Sequence, residues 1–448
     1  MSDDPESRVR SLTSGRQLFA AALIGALGGL LATVYYFLLQ GVMNGVWLRL
    51  AHVEPLSLPI TPHWHPLILL ITTVGGLIVG LLTKWLGSPG EIATVIDNIH
   101  LRHGRIDMKQ TPSMTAISLA SISAGGSAGP EAPLVQIIGS FASWLGDTLR
   151  LTGIHVRTFT FCGMGAALGA FFGAPLGGAL FAMELPHRRG IEYYEAMLPA
   201  VVSALTAFLV FRSIVGYGHI LFHLGTVGPV TLGGVGWGIA FGALGAAVAA
   251  VFAQCFAGIG KLTHRWTNRP VLLATLGGLT LGLLAQVSPK SLFWGEFQID
   301  AVIDAPARLL VGHSLTTAVT LLLGLALVKM LAVSVTLHSG FRGGFIFPLM
   351  FIGAAVGTAA SLLVPGAPAA VAIVATMAAV NVAVTKTPIS TSVVLVTLSG
   401  TSMMPVVIAA SVASLLLSDR LNLIRTQRGR PDSAPIDALP HGPVVAAA

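Results

Sequence analysis

Apolar residues run through this chain in blocks too long for a soluble core, separated by short polar breaks. The first block, 17–48, predicts one long helix, and 64–86 predicts a second. A shorter, more charged region follows at 87–110 and carries Gly87-Ser88-Pro89-Gly90-Glu91-Ile92. Apolar runs at about 111–128, 130–149, 156–170, 174–185 and 192–215 complete one set. A second set lies at about 230–258, 270–287, 313–338, 345–363, 368–383, 388–400 and 403–418. Long stretches without formal charge include 17–48, 158–183, 213–260, 343–385 and 387–418. A membrane span needs roughly 20 apolar residues, so several of these stretches hold more than one segment. The pattern predicts an all-α, polytopic membrane protein. Its membrane domain is expected at 17–428, after a cytoplasmic segment at 1–16 and before a disordered cytoplasmic tail at 429–448 rich in Pro and Ala.

Composition agrees with that pattern. Of 448 residues, 54% are hydrophobic and 10% charged, which excludes an ordinary soluble enzyme. Many of the 52 glycines and 25 prolines fall inside the apolar blocks. Broken or re-entrant helices are tolerated at membrane depth only where they are buried or line a polar cavity. Glycines such as Gly25 and Gly29 can equally serve close helix packing. The net charge of +7 fits the positive-inside rule and not nucleic-acid binding. Arg8, Arg10 and Arg16 precede the first span, and Arg420, Arg425, Arg428 and Arg430 follow the last, so both termini are expected in the cytoplasm of a plasma or inner membrane. Asp3, Asp4 and Glu6 stand before any apolar run, so no cleaved signal peptide is expected. Cys162 and Cys255 read as inert thiols.

Candidate chemistry begins at Glu131, the only formal charge between Lys109 and Asp147. A carboxylate in a lipid-like run is costly and marks a functional position. It opens an apolar helical run inside Gly129-Pro130-Glu131-Ala132-Pro133-Leu134-Val135-Gln136. Proline suits a first helical turn, and the amides that follow attract anions. A carboxylate able to occupy an anion site in a membrane is a gate. The plainer alternative is a glutamate that only caps a helix.

The two sets of runs echo one another. Pro133 is followed 42 positions later by Pro175 in Gly173-Ala174-Pro175-Leu176, and Pro348 is followed 40 positions later by Pro388. Such recurrence fits a repeat transporter with its site at the repeat interface, and chance also produces it in a Gly-rich chain.

Three motifs resemble the CLC family of chloride channels and chloride/proton antiporters. Gly129–Gln136 is similar to G-[R/K]-E-G-P-x-V-Q. Phe172-Gly173-Ala174-Pro175-Leu176-Gly177-Gly178-Ala179-Leu180-Phe181-Ala182-Met183-Glu184 is similar to F-N-A-P-L-A-G-x-L-F-x-x-E. Ser339-Gly340-Phe341-Arg342-Gly343-Gly344-Phe345-Ile346-Phe347-Pro348, with Gly353, Ala354 and Gly357, is similar to S-G-x-x-G-G-x-F-x-P-x-x-x-x-G-A-x-x-G, and Lys329 has a counterpart ten residues before Ser339. The resemblance spans about residues 20–425. It implies two inverted repeats of short, tilted and re-entrant helices, a parallel-pore homodimer in the lipid bilayer, and chloride transport with bound chloride as the only associated group. By position it implies that Glu131 is the gate, that Ser88, Phe345 and Ile346 face a central anion, and that Gly129, Glu131 and Ala132 frame an outer one. Backbone N–H groups and hydroxyls suit a dehydrated anion because a full fixed positive charge would trap it.

Four departures bear on mechanism. Pro130 replaces a basic residue and has no N–H to donate. Ile346 replaces phenylalanine. Ser88 sits about one residue out of register with G-S-G-I-P-E. Leu185 follows Glu184 where antiporters of the family often carry an inward-facing glutamate that relays protons. The segment 418–423 also lacks the family's pore tyrosine. Glu184 can face a dimer interface, lie on a proton path through an internal water cavity, or mark a helix end beside His187-Arg188-Arg189. Proton-coupled chloride exchange is the expected mechanism, since one missing relay carboxylate does not abolish a water path. The alternatives are a passive channel, for which Leu185 argues, and fluoride or nitrate as cargo. Gly125-Gly126-Ser127-Ala128-Gly129 fits the hydrolase pattern G-x-S-x-G, but its expected helix–loop–helix setting lacks the strand-to-helix turn such a nucleophile needs. His338-Ser339 can be drawn as base and nucleophile, or His338 as a ligand, yet no metal-spacing cluster or P-loop accompanies them. No enzyme, metal site or ATP-driven pump is expected.

Overall fold

With no water to bond to at membrane depth, a backbone must satisfy its hydrogen bonds internally, and the charge-free blocks accordingly fold as helices. The computed structural model describes residues 14–429 except 56, 189, 217–221, 223 and 225–229. Residues 1–13 of the expected segment 1–16 and 430–448 of the expected tail 429–448, with Arg8, Arg10 and Arg430, lie outside the described residues, as does Arg189. The first set comprises α1 (Ser14–Met43), α2 (Pro66–Leu86), α3 (Ile92–Leu101), α4 (Thr111–Ser123), α5 (Glu131–Thr148), α6 (Gly153–Phe172), α7 (Pro175–Glu184) and α8 (Met197–Val215). The second comprises α9 (Leu232–Thr263), α10 (Pro270–Val287), α11 (Ile299–Ile303), α12 (Ala305–Gly312), α13 (Leu315–His338), α14 (Ile346–Leu363), α15 (Ala369–Thr385), α16 (Pro388–Ser399) and α17 (Met404–Leu417).

Most predicted blocks match these helices to within a few residues, with instructive exceptions. The first block is α1 continued by a π-helical segment, Asn44–Leu50. The charged region at 87–110 contains α3, whose buried face is Val95, Ile96, Asn98, Ile99 and His100. Residues 288–312, left without an element by the apolar pattern, form 3-10 turns, α11 and α12. Lys329 fixes that segment. Its buried ammonium donates to the carbonyls of Ser291, Leu292 and Phe293 (3.1, 3.2 and 2.6 Å) and lies 4.9 Å from the Phe351 ring centroid. A buried ammonium needs such partners.

The halves repeat in helix order, α4–α8 against α13–α17. The turn between α6 and α7 has Gly173 in the left-handed region and Pro175 opening the next helix; the turn between α15 and α16 has Lys386 there and Pro388 in the same role. The loop before α5 pairs antiparallel with the loop before α14 through Gly129 and Gly344, each N–H donating to the other's carbonyl (2.8 and 2.6 Å). Antiparallel pairing of equivalent loops is the geometry of inverted repeats.

Seven helical stretches among the described residues are long and apolar enough to cross a membrane. Two environments separate them. Helices α1, α2, α8 and α10 present large apolar side chains outward, such as Phe37, Leu70, Leu209 and Leu283. Helix α14 is buried along residues 346–360, α15 along 371–385, and α6 along 156–172. These central helices meet protein on all sides, which allows irregular backbone at their ends.

Small residues set the closest crossings. Helices α2 and α10 meet at Gly76 and Gly278, whose Cα atoms are so close that a Cβ on either overlaps the other helix's backbone. Overpacking typically costs 1–3 kcal/mol, so Gly278→Leu is expected to destabilise by at least about 2 kcal/mol. Leu283→Ala, on the outward face, is expected to change stability by less than about 0.5 kcal/mol. Thermal unfolding of both variants in one detergent checks the difference.

Candidate functional site

Helix α5 begins at Glu131, directly after Pro130 at its N-cap, and the side chain folds back toward the other half of the molecule. Its Oε1 accepts a 2.9 Å hydrogen bond from the amide of Ile346, the first residue of α14. The Gly129–Gly344 bridge places this carboxylate, and a Cβ at either glycine would overlap the Glu131 side chain and push it out of this seat. Glu131 is 1% exposed, and its Oε2 is buried without a hydrogen-bond partner. A buried polar atom left unpaired costs about 1–3 kcal/mol, so the seat holds the carboxylate incompletely.

On one side Glu131 faces a cavity of about 300 Å³, whose wall also includes Ala132, Phe345, Ile346, Leu168, Leu185 and Thr426. Beyond it lies a wider vestibule of about 1130 Å³ where α2, α9 and α13 end, lined by Ser88, Lys261, His264, Arg342 and Arg425 among others. On the other side, Pro130 and Leu134 meet a collar of Tyr35, Tyr36, Phe211, Trp294 and Phe297 that leaves only about 10 Å³. Tyr36, Gln40, Trp294 and Phe297 also line a recess of about 300 Å³ at the opposite end, together with Glu54 and Glu296. A basic vestibule, a cavity, a carboxylate, an aromatic collar and an acidic recess thus follow one another along the helix axes.

The family model for voltage gated chloride channels matches residues 75–419. The chain belongs to this family. It is therefore a membrane protein of an anion-transport family. It is 29% identical over 412 residues to a chloride/fluoride channel protein of Pseudomonas syringae pv. tomato, across 90% of this chain and 86% of that one. Its fold matches a CLC-type fluoride/proton antiporter with a TM-score of 0.76 at 21% identity, across 93% of this chain and 100% of that one. It matches a slow cyanobacterial Cl−/H+ antiporter with a TM-score of 0.74 at 21% identity, covering 92% and 96%. The two-repeat helical architecture is therefore a voltage-gated chloride channel family fold.

Within that fold, Gly129, Glu131, Ala132, Phe345 and Ile346 come together, from loops about 215 residues apart. Ser88 does not join them. It is exposed in the vestibule, and its hydroxyl accepts from Arg342 Nη2 at 2.6 Å. Glu184 is also elsewhere: it is fully buried and caps α16, accepting from the amides of Ile389 (3.1 Å) and Ser390 (2.7 Å) and from the Ser390 hydroxyl (2.6 Å). Ser127 lies in the loop between α4 and α5, its amide donating to Thr336 Oγ1 and its hydroxyl buried without a partner. The His338 ring packs 4.2 Å from that of Phe256, and the Ser339 hydroxyl donates to Val335 O on its own helix.

Sequence reasoning missed two cavity residues. Arg342 is the only formal charge between Lys329 and Lys386, the very signal that marked Glu131. Thr426 had no such signal. It arrives because Gln427 Nε2 donates to the carbonyls of Leu185 and Thr385 (2.8 and 2.7 Å) and Arg428 pairs with Asp97, folding the segment after α17 beneath the cavity. Its buried hydroxyl has no partner.

The geometry around Glu184 gives a direct expectation. Glu184→Ala orphans three donors at the start of α16 and is expected to cost about 2–5 kcal/mol, read as a lowered melting temperature in detergent. Glu184→Gln retains one acceptor oxygen and is expected to fall between that variant and the native protein.

Proposed function

We propose that this chain exchanges chloride for protons across the membrane, with Glu131 as the gate. The observation that carries the reading is the hydrogen bond from the first amide of α14 to the Glu131 carboxylate, at the closed end of a cavity open to a basic vestibule. A helix start supplies N–H donors and partial positive charge without a fixed cation. That suits an anion that must bind and also leave. Carboxylate and halide compete for the same amides. When protonated, Glu131 has no charge to hold it there, swings toward the aromatic collar and yields its place to the anion. When the proton departs, the carboxylate returns and expels the anion. Alternate occupancy of one seat couples the two flows. In this reading Phe345 and Ile346 bind the central anion, Gly129 and Ala132 frame the outer position that Glu131 takes, and Ser88 contributes at the vestibule.

Charge sets the direction. The vestibule lies where α2, α9 and α13 end, near Lys84, Lys261, Arg265, Arg269, Arg342 and Arg425, while Asn44 and Leu48 after α1 meet Glu54 and Glu296 at the other end. By the positive-inside rule the vestibule is the cytoplasmic side, which supports the expectation of cytoplasmic termini. With Glu184 engaged in capping α16, protons reach Glu131 through water in the cavity, which has room for several molecules.

A passive channel is the second reading. It is favoured by Leu185, which stands in the cavity wall directly after Glu184, where antiporters often carry a relay glutamate. Fluoride is the alternative cargo, since relatives described as handling fluoride are similar to this chain. Proteoliposomes under an imposed chloride gradient, with external pH recorded, test the proposal; the run is repeated with fluoride. The native protein is expected to drive protons uphill, and Glu131→Gln to keep anion flux while losing proton movement. Anion flux without proton movement in the native protein selects the channel. No flux of either halide overturns the transport reading.

A further inference from the structure

Arg342 occupies the neck between vestibule and cavity, lining both. Its position is fixed by its neighbours. The Arg342 amide donates to Ser121 Oγ on α4 at 2.9 Å, and the next residue, Gly343, lies so tightly on Ala128 that it could carry no side chain. The guanidinium spans from the loop before α14 to the loop before α3. Nη1 meets Glu91 Oε1 at 2.6 Å, and Nη2 donates to Ser88 Oγ at 2.6 Å. The Arg342 side chain is 11% exposed while that of Glu91 is 63% exposed. The third donor nitrogen, Nε, is buried and has no hydrogen-bond partner among the described residues.

These facts describe a cation whose charge is partly cancelled and whose hydrogen-bonding capacity is partly unused. A bare guanidinium in a narrow neck would hold a halide too tightly for turnover. One fully compensated by a buried carboxylate would attract none. Glu91, mostly in water, screens the charge without abolishing it. Ser88 accepts from Arg342 and so keeps its own O–H free to donate. The walls shared by the two spaces also include Phe256, Leu337 and Leu423, together with His338 and a second cation, Arg425.

Resting on the transport reading above, we propose that Arg342, tempered by Glu91, is an anion-binding residue at this neck: it takes a small halide from the vestibule before the halide reaches the amide of Ile346. Glu91 acts through Arg342 as a positioning residue that sets how tightly the halide is held.

The two partners therefore affect binding in opposite directions. Calorimetric titration of the purified full chain with sodium chloride, and separately with sodium fluoride, reads equilibrium binding; proteoliposome flux reads turnover. Arg342→Gln is expected to weaken halide binding about tenfold. Glu91→Gln is expected to tighten it by several-fold and slow turnover. The double variant should match Arg342→Gln, because Glu91 has no effect without its partner. Arg342→Lys, which keeps the charge and loses the fork, should bind within about threefold of the native protein and guards against a misfolded glutamine variant. If Arg342 and Glu91 merely latch two loops together, both single variants will shift binding the same way, or neither will, and the proposal is overturned. Native protein that transports halide in that case leaves the transport reading intact; native protein with no halide flux removes both.

Discussion

The structure turns on one contact: a carboxylate from the first half accepting a hydrogen bond from the first amide of a helix in the second. That contact needs two helices to break at the same depth with their starts facing one another. It also needs two glycine loops narrow enough to pair backbone to backbone, and glycine at both paired positions so that the carboxylate can fold between them. Broken helices expose N–H groups that lipid cannot satisfy. The burial of α6, α14 and α15 within a ring of outward-facing helices is therefore a condition of the site, as well as a consequence of hydropathy.

Buried charges in this protein differ in how completely they are satisfied, as four of them show. Lys329 has three carbonyls and an aromatic face. Glu184 has three donors at the start of α16. Both hold elements together, and neither lines the cavity. Glu131 and Arg342 do line it, and each keeps one buried polar atom without a partner. Thr426, from the segment folded beneath the cavity, does the same. Unused hydrogen-bonding capacity is costly in a packed interior. Where it lines the cavity, at Glu131, Arg342 and Thr426, a passing ligand can supply the missing partner.

Much of the fold was legible in the chain. Charge-free blocks gave most helices, the lone Glu131 gave the residue on which the candidate site is built, and three spaced motifs gave the family. What escaped had identifiable reasons. Helix α3 is short, and its charged approach masked a buried face that only tertiary contact creates. Residues 288–312 are held by Lys329 rather than by any pattern of their own. Ser88 sits in the right motif neighbourhood, yet Arg342 takes its hydroxyl lone pair. Glu184 left three readings open because its surroundings are the turn before α16, about 205 residues away.

Hydropathy, charge spacing and glycine–proline punctuation depend on a residue and its near neighbours, so the chain alone settled which segments leave water, that they become helices, and which carboxylate is out of place among them. Which amide that carboxylate meets, which charges are fully satisfied and which remain open to a ligand were decided only by packing. Those answers depend on groups brought within about 3 Å of one another from distant parts of the chain, and no local pattern encodes that distance.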